Sequence, residues 1–363
     1  MLYSVCCQCQ KDNLKKHSKS KQFSNTFLYV SDKMFAASTQ CKHWMFSSEE
    51  ELNKLRDLAN AKHIQVYGKN IDPATKYDFF LTPEEEKIMV KRYELHLRDF
   101  CKRFQPAMPR CVVGTAFHYF KRFYINNSVM NYHPKEIMVT CIYLACKVEE
   151  FNVSIQQFVA NIKGDREKAT DIILNNELLL MEQLNFHLSI HNPFRPVEGL
   201  LIDIKTRCSL HDPERLRPGT EHFLERALLT DAVLLYSPSQ VALAAILHAA
   251  SKLQENLDSY VTDTLFGEDG RGKLEDLIDA VRGIRSMVKL ADAVPDRNQQ
   301  KILDKKLDKC RNPENNPDSE IYKKKMLAML NEDDDLYGVI SEQNYSMDNS
   351  ALNMSIPTSP QVA

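Results

Sequence analysis

Charge of one sign is what this sequence lacks most plainly: 47 basic and 49 acidic residues leave a formal net charge of −2. A nucleic-acid-binding domain usually carries a basic stripe, so partners are expected to be protein, with no direct nucleic-acid contact. Long apolar runs are missing too. No stretch reaches the roughly 18 apolar residues of a membrane span, and the opening Met1-Leu2-Tyr3-Ser4-Val5 lacks the basic-then-apolar order of a signal peptide. A soluble intracellular chain is expected, with no membrane partner. Strict alternation of apolar and polar residues between turn signals is absent, which removes half-buried strands. Glycine is sparse, and no glycine-rich phosphate loop follows a strand; Gly267, Gly270 and Gly272 fall between helical patterns and read as a turn. No nucleophile has a plausible base. Neither catalysis nor a cofactor is expected.

What is present is helical. Ser47 and Ser48 each have a glutamate three residues later, and Leu52, Leu55 and Leu58 follow at helical spacing, which predicts a helix over 47–62 that ends before Gly68. Thr82-Pro83-Glu84-Glu85 marks a second start, with Met89, Tyr93, Leu97, Phe100 and Phe104 on one stripe. Val112 to Tyr124 and Pro134 to Glu150 are apolar on nearly every face, as helices inside a bundle are. Ser154 to Ile162 and Asp171 to Leu184 complete five helices.

The order then returns, with helices expected over 196–205, 220–236, 237–253, 257–266 and 273–290. Tyr132-His133-Pro134-Lys135-Glu136-Ile137 matches Tyr236-Ser237-Pro238-Ser239-Gln240-Val241 at an offset of 104 residues. A period that long indicates two copies of a whole domain rather than a solenoid. The expected architecture is all-α, two tandem five-helix folds with additional helices at both ends. Its parts are a disordered extension over 1–41, an N-terminal helix within 42–66, a first fold over 77–190, a second over 193–292, a C-terminal helix over 297–311 and a polar tail over 312–363.

Candidate chemistry is thin. Ten cysteines, scattered mostly through apolar runs, suit a reducing compartment. Cys6-Cys7-Gln8-Cys9 with His17 does not space four ligands in pairs, so no metal is expected. His118, His187, His191 and His248 read as core or boundary histidines, and Lys121-Arg122 as a solvated helix edge that could alternatively touch RNA. Two charges stand out. Lys147 follows Leu144-Ala145-Cys146, and Glu177 sits among Leu174 and Leu178-Leu179-Leu180, where charge is seldom buried unless paired. From spacing alone, Lys147 could cap its own helix while Glu177 faces water, or the two could pair with each other.

Ala107 to Phe151, with Tyr119-Phe120-Lys121-Arg122-Phe123-Tyr124 and Leu144-Ala145-Cys146-Lys147-Val148-Glu149-Glu150, resembles the cyclin box. Phe104-Gln105-Pro106-Ala107-Met108-Pro109-Arg110, Asn126-Asn127-Ser128-Val129-Met130, Leu184-Asn185-Phe186-His187-Leu188, His191-Asn192-Pro193 and His43-Trp44-Met45-Phe46-Ser47-Ser48-Glu49-Glu50 are also similar to cyclin sequence, over about residues 42 to 310. The stretch after Met34 resembles the beginning of such cyclins, so 1–33 reads as an extension.

The resemblance implies a nuclear regulatory subunit, without catalytic residues, that switches on a cyclin-dependent kinase. The branch implied is the one whose kinase activates other cyclin-dependent kinases and acts within the transcription and repair factor TFIIH. Its implied partners are that kinase, a RING-finger assembly factor and the TFIIH core. It also implies that Lys147 and Glu177 contact the kinase, the ammonium donating to backbone carbonyls and the carboxylate accepting from amides. The second copy has Ser251 and Val281 at those places. Two other readings are a different transcription cyclin and a helical adaptor of the transcription factor IIB type, which should show a zinc ribbon and a strongly basic surface. The Met-Arg-Ala-Ile-Leu docking motif of cell-cycle cyclins is absent; Met108-Pro109-Arg110 only partly matches it.

Overall fold

The computed structural model describes residues 34–69, 71–72, 75–208, 210, 212–266, 271–291 and 296–328, and among these there is helix and no strand. Residues to Arg311 form one compact unit, and those from Asn312 form another.

The ordered chain begins earlier than the expected extension over 1–41 allows. Residues 34–37 are helical, and α1 (Thr39–His43) follows, capped by Ser38. Gln40 is buried, its Oε1 accepting from the His191 backbone N–H at 2.7 Å, which fixes the segment against the end of the first fold. Helix α2 (Glu49–Tyr67) starts where Ser48 Oγ accepts from Glu51 N. The reciprocal arm of the expected capping box lands one residue upstream: Glu51 Oε2 accepts from Ser47 N and Oγ at 2.8 and 2.6 Å.

The first fold comprises a short helix α3 (Lys76–Phe79), α4 (Pro83–Arg103), α5 (Arg110–Asn126), α6 (Pro134–Val148), α7 (Ile155–Val159) and α8 (Arg166–Gln183). Thr82, at the start expected for α4, forms a reciprocal box with Glu85, as Ser154 does with Gln157 for α7. Helix α8 starts five residues before Asp171, because Asp165 Oδ1 accepts from the N–H groups of Glu167 and Lys168. Helix α5 packs against α2, α4 and α6, which explains its lack of a polar face.

The second fold comprises α9 (Phe194–Arg207), α10 (Arg217–Ala227), α11 (Ala232–Leu235), α12 (Pro238–Lys252), a π-helical stretch Tyr260–Phe266 and α13 (Arg271–Leu290). Two expectations change. The helix expected over 220–236 breaks between Ala227 and Ala232, a turn that delivers Asp231 to Arg56 of α2 and Lys121 of the first fold. Gly272 belongs to α13 rather than to a turn, while Gly267 and Gly270 lie outside the described residues. Beyond it, α14 (Arg297–Cys310) packs on α3 and α4 and buries Leu303, Leu307 and Cys310 in the first core. Of the expected tail, residues 320–328 are helical and 329–363 lie outside the described residues.

The 104-residue offset is visible in the backbone. It maps both ends of α6 onto both ends of α12, Pro134 to Pro238 and Val148 to Lys252. It also maps the left-handed residue after each helix, Glu150 at φ 56° onto Gln254 at φ 58°. The bond that follows is repeated too, Phe151 N to Cys146 O at 2.9 Å and Glu255 N to Ala250 O at 3.0 Å. Two helices of one length with one C-terminal closure at one offset are duplicate domains.

Glu86 ties α4 to its surroundings, accepting from Asn60 Nδ2 of α2 and Ser128 Oγ. Burial pushes its carboxyl up to about 7, against which the bonds from Ser128 and Asn60 work. Because the folded pKa lies above the ordinary value of 4.5, the folded chain binds the extra proton between them. Stability attributable to Glu86 is therefore full at acid pH and falls as pH rises through about 7. Glu86→Gln is expected to raise the melting temperature at pH 8 by a few degrees (~1 kcal/mol) and to leave it unchanged at pH 5. An equal shift at both values would show that Glu86 is not the titrating group.

Candidate functional site

Lys147 stands in the last turn of α6 and Glu177 in the middle of α8, two helices that pack on each other. Of the arrangements open to them, the structure shows mutual pairing. Lys147 Nζ donates to Glu177 Oε1 and Oε2 at 2.6 and 2.8 Å, and lies 4.9 Å from the Tyr143 ring centroid. The pair is open to solvent, the side chains being 46% and 16% exposed. On α8, Leu174 and Leu178 flank it at 47% and 56% exposure. An ion pair at the surface contributes only about 0–1 kcal/mol to folding. Its free lone pairs and third ammonium proton, framed by exposed leucines, give a face able to take backbone polar groups and apolar side chains together. In the second fold Ser251 is exposed and Val281 is buried in the core, so this charge arrangement occurs in the first copy alone.

Lys121 and Arg122 are not a solvated edge, and neither is available to RNA: both are buried. Lys121 Nζ donates to Glu94 Oε1 at 2.5 Å and lies 3.7 Å from Asp231 Oδ1. Asp231 in turn accepts two bonds from Arg56, at 2.7 and 3.0 Å. Burial alone would raise the Asp231 carboxyl, but Lys121 and Arg56 outweigh it and hold it well below the usual carboxylate range. One buried network thus joins α2, α4, α5 and the second fold. Arg122 stacks over Trp44, 5.0 Å from its ring centroid, and donates to the His187 carbonyl at 3.1 Å. The sequence signal for the network was available in Asp231, set within an apolar run like Lys147 and Glu177; Glu94, with Lys91, Arg92, His96 and Arg98 around it, carries no such signal.

The histidines divide. His118 is buried and burial holds it neutral; His187 Nδ1 accepts from Trp44 Nε1 at 3.1 Å; His191 meets the N-terminal segment through its backbone. His248 lies half-buried against Phe223. Cys6, Cys7, Cys9 and His17 lie outside the described residues. No described helix is long and apolar enough to cross a membrane.

Residues 80–189 match the family described as Cyclin, N-terminal domain, and residues 192–289 match Cyclin C-terminal domain. Cyclin-H of Xenopus laevis is 47% identical over 286 residues, 77% of this chain and 88% of that protein. The chain belongs to the cyclin H family. Among solved structures, this cyclin is similar to a chain of the Chaetomium thermophilum CAK complex bound to ATP-gamma-S, with TM-score 0.69 and 26% identity over 82% of this chain and 94% of that one. It is also similar to a chain of the yeast TFIIK (Kin28/Ccl1/Tfb3) complex, with TM-score 0.56 and 28% identity over 70% of this chain and 99% of that one. The matched N-terminal domain contains α4 to α8 of this cyclin, and with them the Lys147–Glu177 pair.

Proposed function

We propose that this cyclin is the non-catalytic regulatory subunit that binds and activates a cyclin-dependent kinase, the one that activates other cyclin-dependent kinases within TFIIH. The observation that carries this reading is the solvent-open Lys147–Glu177 pair, framed by Leu174 and Leu178 and present only on the first fold. Membership of the cyclin H family and the likeness to chains of the CAK and TFIIK complexes support it. Lys147 donates to carbonyls at the end of the kinase's regulatory helix and Glu177 accepts from its amides, holding that helix inward. That position completes the kinase's own Lys–Glu pair over the ATP phosphates, so the cyclin stabilises the active conformation without touching the reacting bonds. A RING-finger assembly factor and the TFIIH core complete the assembly, which acts in the nucleus.

Affinity purification of the full chain from nuclear extract, followed by mass spectrometry, is expected to recover a cyclin-dependent kinase together with a RING-finger protein. The recovered kinase should phosphorylate both the activation loop of another cyclin-dependent kinase and the polymerase II tail. Recovery of a kinase that phosphorylates the polymerase tail alone would move the chain to another transcription cyclin.

A further inference from the structure

Residues 34–46 reach the first fold without a core of their own. Residues 34–37 and the five-residue α1 are too short to persist as helices in water, so their order comes from what they dock on. The dock is the chain that follows α8. Gln40 bonds both ways with the His191 backbone, accepting from its N–H at 2.7 Å and donating to its carbonyl at 3.4 Å. The Phe35 ring meets the His191 ring edge-on, with centroids 5.8 Å apart. Trp44, the only tryptophan of the chain and 3% exposed, donates through Nε1 to His187 Nδ1 at 3.1 Å. The His43 ring stacks on the His187 ring at 4.7 Å. The docked segment ends where Phe46 N donates to the Leu234 carbonyl at 3.0 Å.

His187 accepts at Nδ1 because it is neutral there. A proton on Nδ1 turns that atom into a donor facing the indole N–H, which is a donor only, so protonation breaks the Trp44 bond. The added charge is also badly placed. Facing His187 are His43 and Trp44 of the docked segment and, from α5, Arg122 and Tyr119, whose hydroxyl donates to the Leu188 carbonyl. Burial, then His43 and Arg122, both basic, hold the His187 pKa below the ordinary 6.5. Burial and then Arg195 do the same to His191, the other imidazole of the dock. Arg122 is itself buried, with its guanidinium 5.0 Å from the Trp44 ring centroid, and its Nε and Nη2 have no hydrogen-bond partner among the described residues. The docked segment thus already covers one cation, and an imidazolium beside it adds a second.

We propose that residues 34–46 are a proton-operated strap, docked while His187 is neutral and released from the first fold when His187 is protonated. A histidine whose pKa is lower docked than free stabilises the docked state fully above the free value of 6.5, and that contribution is lost as pH falls below it. Release uncovers the Trp44 indole and the Arg122 guanidinium and leaves the helices of both folds in place. Burial also holds His63 and His133 down at about 4, so the stability of the whole fold declines over the same range, and release is distinguished from unfolding by its dependence on His187. The strap is separate from Lys147 and Glu177, and the proposal stands whether or not those residues contact a kinase.

Because Trp44 is the only tryptophan, its fluorescence in the full chain reports on the strap alone. From about pH 8 to about pH 5, where an imidazole titrates, its emission is expected to move to longer wavelength and its quenching by acrylamide to rise severalfold, with far-UV circular dichroism unchanged. His187→Asn puts an amide oxygen in the place of Nδ1, which accepts from the indole but takes up no proton, and should show neither change over that range. Hydrogen exchange on the unaltered chain gives a reading that needs no variant. After correction for intrinsic rates, residues 34–46 and the His191 amide should lose protection at the acid end while α5 and α6 keep theirs. The proposal is overturned if Trp44 stays shielded at the acid end, or if His187→Asn shows the same transition as the unaltered chain. Loss of protection over 34–46 only together with α5 and α6 would overturn it as well.

Discussion

Lys147→Ala and Glu177→Ala are each expected to weaken association with the kinase by roughly 2–5 kcal/mol, because each leaves backbone groups of the partner unpaired in a desolvated contact. The isolated cyclin should scarcely respond. Its Lys147–Glu177 pair is exposed, and removing one member should change the unfolding free energy by less than about 1 kcal/mol. The structure adds a sharper variant, because the two side chains already satisfy each other in the free chain. The double exchange Lys147→Glu with Glu177→Lys keeps an intrachain pair but inverts the polarity offered to the kinase. It should fold normally and bind as poorly as the single variants. Ser251→Ala, at the equivalent point of the second fold, should bind like the unaltered chain. Calorimetric titration against purified kinase measures all four, and normal binding by the exchanged pair would make Lys147 and Glu177 structural residues only.

Asp231→Asn is expected to cost the fold roughly 3–5 kcal/mol, since it leaves Arg56 and Lys121 withdrawn from water with one carboxylate of the network, Glu94, remaining. The effect has a pH signature. A carboxyl held below its ordinary range contributes stability that is present above the unfolded value of 3.8 and is lost as pH falls toward the folded value. The unaltered chain should therefore lose its advantage over Asp231→Asn on acidification below about pH 4. Glu225→Gln is the control, because the Lys102–Glu225 pair also joins the two folds but is about half exposed on both sides. It should cost less than about 1 kcal/mol. Urea unfolding at pH 7 gives both values, and equal small losses would mean the buried network does not hold the folds together.

The sequence by itself determined the helices and their duplication. Caps at Thr82, Ser154 and Ser237 and apolar faces at helical spacing act within a few residues, so their signals are local and readable in order. It also brought forward Lys147 and Glu177, through their apolar neighbours and the likeness of their surroundings to a cyclin box. The tertiary structure alone decided which charges are inside. Lys121 and Arg122 carry the same local pattern as any solvated helical pair, and only the folded chain brings Glu94, Asp231, Trp44 and the His187 carbonyl to them. The break before α11 has a local part, Thr230 Oγ1 donating to the Ala227 carbonyl and accepting from Ala232 N, but the cations that Asp231 meets there lie far away in sequence. Ion pairing and burial depend on partners distant in sequence, and spacing along one helix contains no record of them.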